Sequence, residues 1–124
     1  MPNKTPCYDC IIAGAGPAGI FAAIELLSVN PRLKVLIIEK GKVIGHRERR
    51  DLFSGWGGAG AYSDGKLTLS SEVGGFLNEY LPAGELKDLI AYTDGLYLKF
   101  GAAAEIKGLD EAPVAGLEKS AAMA

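Results

Sequence analysis

Apolar residues run from Cys10 through Ala13 and then give way abruptly to Gly14-Ala15-Gly16-Pro17-Ala18-Gly19. A short apolar run of this kind reads as a strand, expected over 8–13, and its composition suits a strand covered on both faces. The period then changes. Ile20, Ala23, Ile24 and Leu27 recur at helical spacing and predict a helix over 17–29. Pro31 stops it by disfavouring helical geometry at Asn30. Val35-Leu36-Ile37-Ile38 predicts a second strand over 34–39. Strand, helix and strand in this order form a parallel βαβ unit.

Periodicity fades after Glu39. Residues 40–50 carry many cations and read as a solvated loop or short exposed helix, with one or two cations available to neutralise a bound phosphate. Residues 54–67 hold five glycines and two alanines, too little side chain for a core. Such a segment either is a flexible loop or lets backbone approach a ligand closely, with successive N–H groups as an anion nest. Trp56 and Tyr62 would pack there on protein or on a flat ring. Leu86, Leu89, Ile90, Leu96, Tyr97 and Phe100 predict a helix over 85–100, with Gly101 as its stop. A last helix is expected over 112–123.

The candidate chemistry lies where the first period changes. G-x-G-x-x-G is weak evidence alone, but between a strand and a helix, with an acid further on, it marks a dinucleotide site. Gly14 allows the sharp turn, Gly16 lets phosphates approach the backbone, and Gly19 lets helix and strand pack closely. Pro17 fits the first helical turn, where its missing N–H costs nothing. Glu39 stands 25 positions after Gly14, placed to accept hydrogen bonds from ribose hydroxyls. A carboxylate there disfavours a 2′-phosphate, which points to FAD or NAD over NADP. The alternative is a glycine-rich turn that binds no nucleotide.

Composition narrows the classes. A chain of 124 residues, 48% hydrophobic and 23% charged, suits one small globular domain. A net charge of −2 gives no reason to expect nucleic acid or an anionic membrane as partner. No apolar run nears the ~20 residues that span a bilayer, and the N-terminus lacks a signal-peptide core. The expected compartment is the cytoplasm. Cys7 and Cys10 form C-x-x-C, but Cys10 falls in a strand and His46 is the only histidine. Two small apolar residues fit better than a redox pair or a zinc site, so no metal is expected.

Two segments together carry a resemblance. Ile11 to Gly19 with Glu39-Lys40-Gly41 resembles FAD-dependent oxidoreductases of the glutathione-reductase-like superfamily. Gly55-Trp56-Gly57-Gly58-Ala59-Gly60-Ala61-Tyr62-Ser63-Asp64-Gly65-Lys66-Leu67 is similar to a group of mostly uncharacterised bacterial FAD-dependent dehydrogenases, as is Tyr97-Leu98-Lys99-Phe100-Gly101. The resemblance implies an α/β fold, an incomplete Rossmann-like FAD/NAD(P)-binding domain, occupying residues 1–124 with no second domain. It implies that Gly14, Ala15, Gly16, Pro17, Ala18 and Gly19 face the FAD pyrophosphate. Glu39 would bind the adenosine ribose with Lys40 beside it. Gly57, Gly58, Ala59 and Gly60 would line the phosphates or approach the flavin, and Ser63 and Asp64 would make polar contacts near that loop. Implied partners are a small-molecule redox substrate and a nicotinamide nucleotide.

Two departures stand out. Relatives carry a cysteine-rich stretch before the second glycine loop, where this chain has Arg47 to Phe53. They also run to several hundred residues, so the chain reads as the N-terminal fragment of a flavoenzyme. No residue has a defensible catalytic role, and the isolated chain is expected to be inactive. The alternatives are a NAD-binding dehydrogenase domain, or a truncated chain that pairs with another subunit.

Overall fold

The computed structural model describes residues 6–106. The chain divides into two compact units at Lys66/Leu67. The expected helix over 112–123 lies outside the described residues.

The first unit begins with strand β1 (Cys10–Ala13), helix α1 (Pro17–Val29) and strand β2 (Val35–Ile38). The strands pair in parallel, with Cys10 opposite Val35 and Ala13 opposite Ile38. Gly14 N–H extends the ladder by donating to the Ile38 carbonyl at 2.7 Å. At the other end the Asp9 carboxylate accepts from Lys34 N–H at 2.8 Å. Both strands are shorter than the runs expected over 8–13 and 34–39, since the pairing takes in four residues of each.

Helix α1 starts where Pro17 supplies a helical φ at no cost in hydrogen bonds. It ends at Asn30, whose N–H donates to the Leu26 carbonyl at 3.0 Å. The helix sits close to β1 because residue 19 has no side chain. A Cβ there would collide with the Gly14 carbonyl oxygen and press on Ile12 Cγ2. Ala15 and Ala23 form the buried centre.

One expectation is corrected here. The pairing puts Ile11, Ala13, Leu36 and Ile38 on the sheet face opposite α1. Ile11 and Ile38 are 59% and 54% exposed, so the sheet is covered on one face only. Among the described residues of this unit, one helix meets two strands, and no element lies over the second face.

After β2 the chain makes short 3₁₀ turns at Ile44–His46, Arg49–Asp51 and Gly58–Tyr62. In the second unit a 3₁₀ turn at Leu77–Glu79 precedes helix α2 (Ala83–Lys99). The helix begins two residues before the expected start, after Pro82 in extended geometry. It stops at Gly101, whose φ of +98° suits glycine. Leu86 is buried, whereas Leu89, Tyr97 and Phe100 are 48%, 43% and 72% exposed. Half of the expected apolar stripe thus faces outward. Leu67, Leu69, Leu77, Leu86, Leu89 and Ile90 line a shallow apolar space of about 150 Å³. Among the described residues no helix is long and apolar enough to cross a membrane.

Two substitutions separate packing from propensity. Gly19→Ala forces backbone apart and should cost about 1–3 kcal/mol, the range for overpacking. Gly95→Ala meets open space inside α2 and should add about 0.5–1 kcal/mol by raising helix propensity. Chemical denaturation of the two variants checks both signs.

Candidate functional site

The site assembles around the loop after β1. Gly14 leaves the strand with φ +103°, a region that only glycine enters cheaply. The chain then turns through Ala15 and Gly16 into the N-terminus of α1. Gly16 caps the helix in extended geometry and without a side-chain hydrogen bond. A Cβ added at Gly14 or Gly16 would meet no atom within 4 Å, so space lies open beside the turn. The first helical N–H groups carry the positive end of the helix dipole. Open space beside such donors is what an anion requires.

Glu39 follows β2 and reaches back to this turn. Its Oε2 accepts from Ala15 N–H at 2.8 Å. Its Oε1 accepts from Gly41 N–H at 2.8 Å and from Gly55 N–H at 2.9 Å. These bonds hold its carboxyl well below the ordinary 4.5, at about 2, led by Ala15 and then Gly41 and Gly55, with the Lys40 charge a smaller contributor. An ionised carboxylate has about four acceptor positions. Three are filled by the protein, which leaves room for about one outside donor. The residue proposed from sequence as a ribose ligand is thus also the tie between three loops.

The second glycine loop lies against the first. Gly57 N–H donates to the Ala15 carbonyl at 2.8 Å. A Cβ on Gly58 would sit 3.4 Å from Gly16 Cα and 3.5 Å from Pro17 Cδ. Gly41 packs backbone to backbone against Gly55, where a Cβ would collide with the Gly55 nitrogen. The missing side chains of Gly41, Gly55 and Gly58 therefore serve contact between loops.

Arg47 was hidden in the sequence by its cationic neighbours. It is only 9% exposed, in contrast to the solvated segment expected over 40–50. Nη1 donates to the Trp56 carbonyl at 2.9 Å. Nη2 donates to the carbonyls of Asp51, Leu52 and Gly58 at 3.0, 3.1 and 2.9 Å. The Tyr62 ring covers the guanidinium, 4.7 Å from the ring centre. The surrounding cations are used at the surface. Lys42 pairs with Glu48 at 3.2 Å and Asp51 at 3.1 Å, and Arg50 pairs with Glu48 at 3.0 Å. No local signal separates Arg47 from Arg49 and Arg50. Its burial depends on where the glycine loop folds back.

The structure brings Gly14, Ala15, Gly16, Pro17, Glu39, Gly57 and Gly58 together. Gly19 serves helix packing, and a Cβ on Gly60 would still lie 3.9 Å from Pro17 Cγ. Ala18, Lys40 and Ala59 are exposed beside these residues in the chain. Ser63 and Asp64 close their own turn: Ser63 Oγ accepts from Gly65 N–H at 3.1 Å, and Asp64 pairs with Lys66 at 2.9 Å. Cys7 and Cys10 are free thiols, and His46 is exposed. Among the described residues no group of His, Cys, Asp and Glu could hold a metal ion.

No family model matches the chain, and no solved structure matches it. It is 40% identical over 72 residues to a curated protein of Clostridium beijerinckii described as uncharacterized. The match takes in 47% of this chain and 13% of that relative, so the chain spans a small part of the relative's length.

The Glu39 bonds give a pH dependence with a defined sign. A carboxyl depressed from 4.5 to about 2 stabilises the fold above pH 4.5 and loses that contribution as the pH falls toward 2. Glu39→Gln places an amide NH₂ where N–H donors converge. Denaturant midpoints should therefore be lower for Glu39→Gln at pH 7, and the gap from the unsubstituted chain should shrink between pH 4.5 and 2. A gap that is constant with pH would contradict the role of the charge.

Proposed function

We propose that this chain is the FAD-binding portion of a flavin-dependent oxidoreductase. The observation that carries the reading is the open, uncapped glycine turn at Gly14–Gly16, with the Glu39 carboxylate bonded to Ala15 inside the same turn. The first supplies backbone donors for a pyrophosphate. The second places an acid one residue from those donors, with room for about one more hydrogen bond from a ribose hydroxyl. Lys40 is exposed next to it in sequence.

Flavin supplies two-electron and one-electron transfer, and the protein supplies binding, orientation and electrostatics. In this reading the N–H groups of Gly16, Ala18 and Gly19 receive the phosphates. Glu39 stays ionised through the physiological range because three N–H groups stabilise its charge. It orients the ribose as an acceptor and would repel a 2′-phosphate. Gly57 and Gly58 wall the turn on the second side with backbone alone. The redox substrate and any nicotinamide nucleotide would bind to parts of a longer protein. The similarity to residues making up 13% of the Clostridium beijerinckii protein agrees with a chain that is one part of such a protein.

Expression together with any adjoining coding sequence tests the reading. The purified protein should carry a yellow chromophore absorbing near ~450 nm, an expectation from flavin chemistry. A folded, colourless product that takes up NAD but not FAD would replace it with a nicotinamide-binding domain.

A further inference from the structure

We propose that Arg47 is a positioning residue for the first glycine turn, setting the direction of the Gly16 N–H through two linked peptide planes. This inference rests on the cofactor reading above. A trans peptide is planar, so its C=O and N–H point in opposite directions. No cis peptide occurs among the described residues. In the Trp56–Gly57 peptide, the carbonyl accepts from Arg47 Nη1 at 2.9 Å. The N–H on the other side donates to the Ala15 carbonyl at 2.8 Å. In the Ala15–Gly16 peptide that carbonyl therefore points at the second loop, and the Gly16 N–H is turned away from it. Gly16 N–H is one of the donors at the N-terminus of α1. The relay runs from guanidinium to Trp56–Gly57 to Ala15–Gly16.

The guanidinium is itself fixed. Nη2 holds three further carbonyls, from Asp51, Leu52 and Gly58. All four acceptors are main-chain carbonyls, so the group acts as a template for loop shape. Its Nε is buried without a hydrogen-bond partner, an ordinarily costly arrangement. Gly55 closes over that atom, since a Cβ there would come within 2.9 Å of Nε and 2.8 Å of Cδ. An ammonium carries the same charge but lacks a planar fork that spans several carbonyls at once. Arg47→Lys keeps the charge and removes the template.

The other end of the relay is tied independently. Ala15 N–H is held by Glu39 Oε2 at 2.8 Å. Ala15 is thus gripped at its N–H by an acid and at its carbonyl by the Arg47-oriented peptide. Glu39 fixes where the turn lies, and Arg47 fixes which way its next donor faces.

The test compares ADP, which carries the adenosine and a pyrophosphate, with adenosine, which carries no phosphate. Calorimetric titrations use the chain expressed with any adjoining coding sequence. Arg47→Lys should reduce the preference for ADP over adenosine about tenfold, the effect of one charge-assisted hydrogen bond, with adenosine affinity unchanged. Hydrogen exchange at the Gly57 amide should accelerate in the same variant. Arg47→Met should show both effects. An equal loss for ADP and adenosine, an unchanged ratio, or unfolding of both variants by circular dichroism would overturn the positioning role. Absence of ADP binding by the unsubstituted protein defeats the cofactor reading and this inference with it, whereas ADP binding with an unchanged ratio in Arg47→Lys defeats this inference alone.

Discussion

Three backbone N–H groups, from Ala15, Gly41 and Gly55, converge on the carboxylate of Glu39. They come from the loop after β1, the loop after β2 and the start of the glycine-rich loop. Ala15 is the one buried side chain among the three donors, too small to serve as a core for these segments. A single charged acceptor replaces that core, because hydrogen bonds to an ionised group are about twice as strong as those between neutral groups. The N–H groups in turn account for the acidity of the carboxyl. Charge and loop geometry therefore depend on each other.

The glycines follow from that constraint. Gly41 and Gly55 must approach backbone to backbone for both N–H groups to reach Oε1, and neither position accepts a Cβ without a collision. Gly57 takes φ +81° and offers its N–H to Ala15. A loop with side chains at these positions would stand off from the turn by the thickness of a methyl group or more. Arg47 binds two carbonyls of this loop, those of Trp56 and Gly58, and two from the turn before it, those of Asp51 and Leu52. Glycine brings the loop close, and the buried cation then gives it one shape.

The parts legible in the sequence were those with a local cause. β1, α1 and β2 arise from apolar runs, a proline at the first helical position and a helix stop before Pro31. Gly14, Gly16, Gly19 and Glu39 were singled out by spacing along the chain. Arg47 and the Gly41–Gly55 contact were not, since they depend on residues 4 to 15 positions apart meeting in a loop with no periodicity. Glu39 was legible as an acid directly after the second strand. Its three backbone bonds were not, because N–H donors leave no trace in residue type. The bare sheet face was missed for a related reason. Ile11 and Ile38 look like core residues from the sequence pattern, but an apolar run does not say whether another element packs over it, and both are exposed.

These two kinds of residue divide the work of the turn. Gly14 and Gly16 leave space open by having no side chains, which any glycine-rich turn can do. Glu39 and Arg47 make that space specific, one by anchoring the Ala15 N–H and the other by directing the Ala15 carbonyl through Gly57. A peptide gripped at its carbonyl side has its N–H direction fixed before any ligand arrives. Donors set in advance bind an anion without first being ordered, and that saving in ordering entropy is the source of affinity in a preorganised site. In the proposed site the glycine motif therefore supplies access, while the acid–arginine pair around Ala15 supplies the geometry offered to a pyrophosphate.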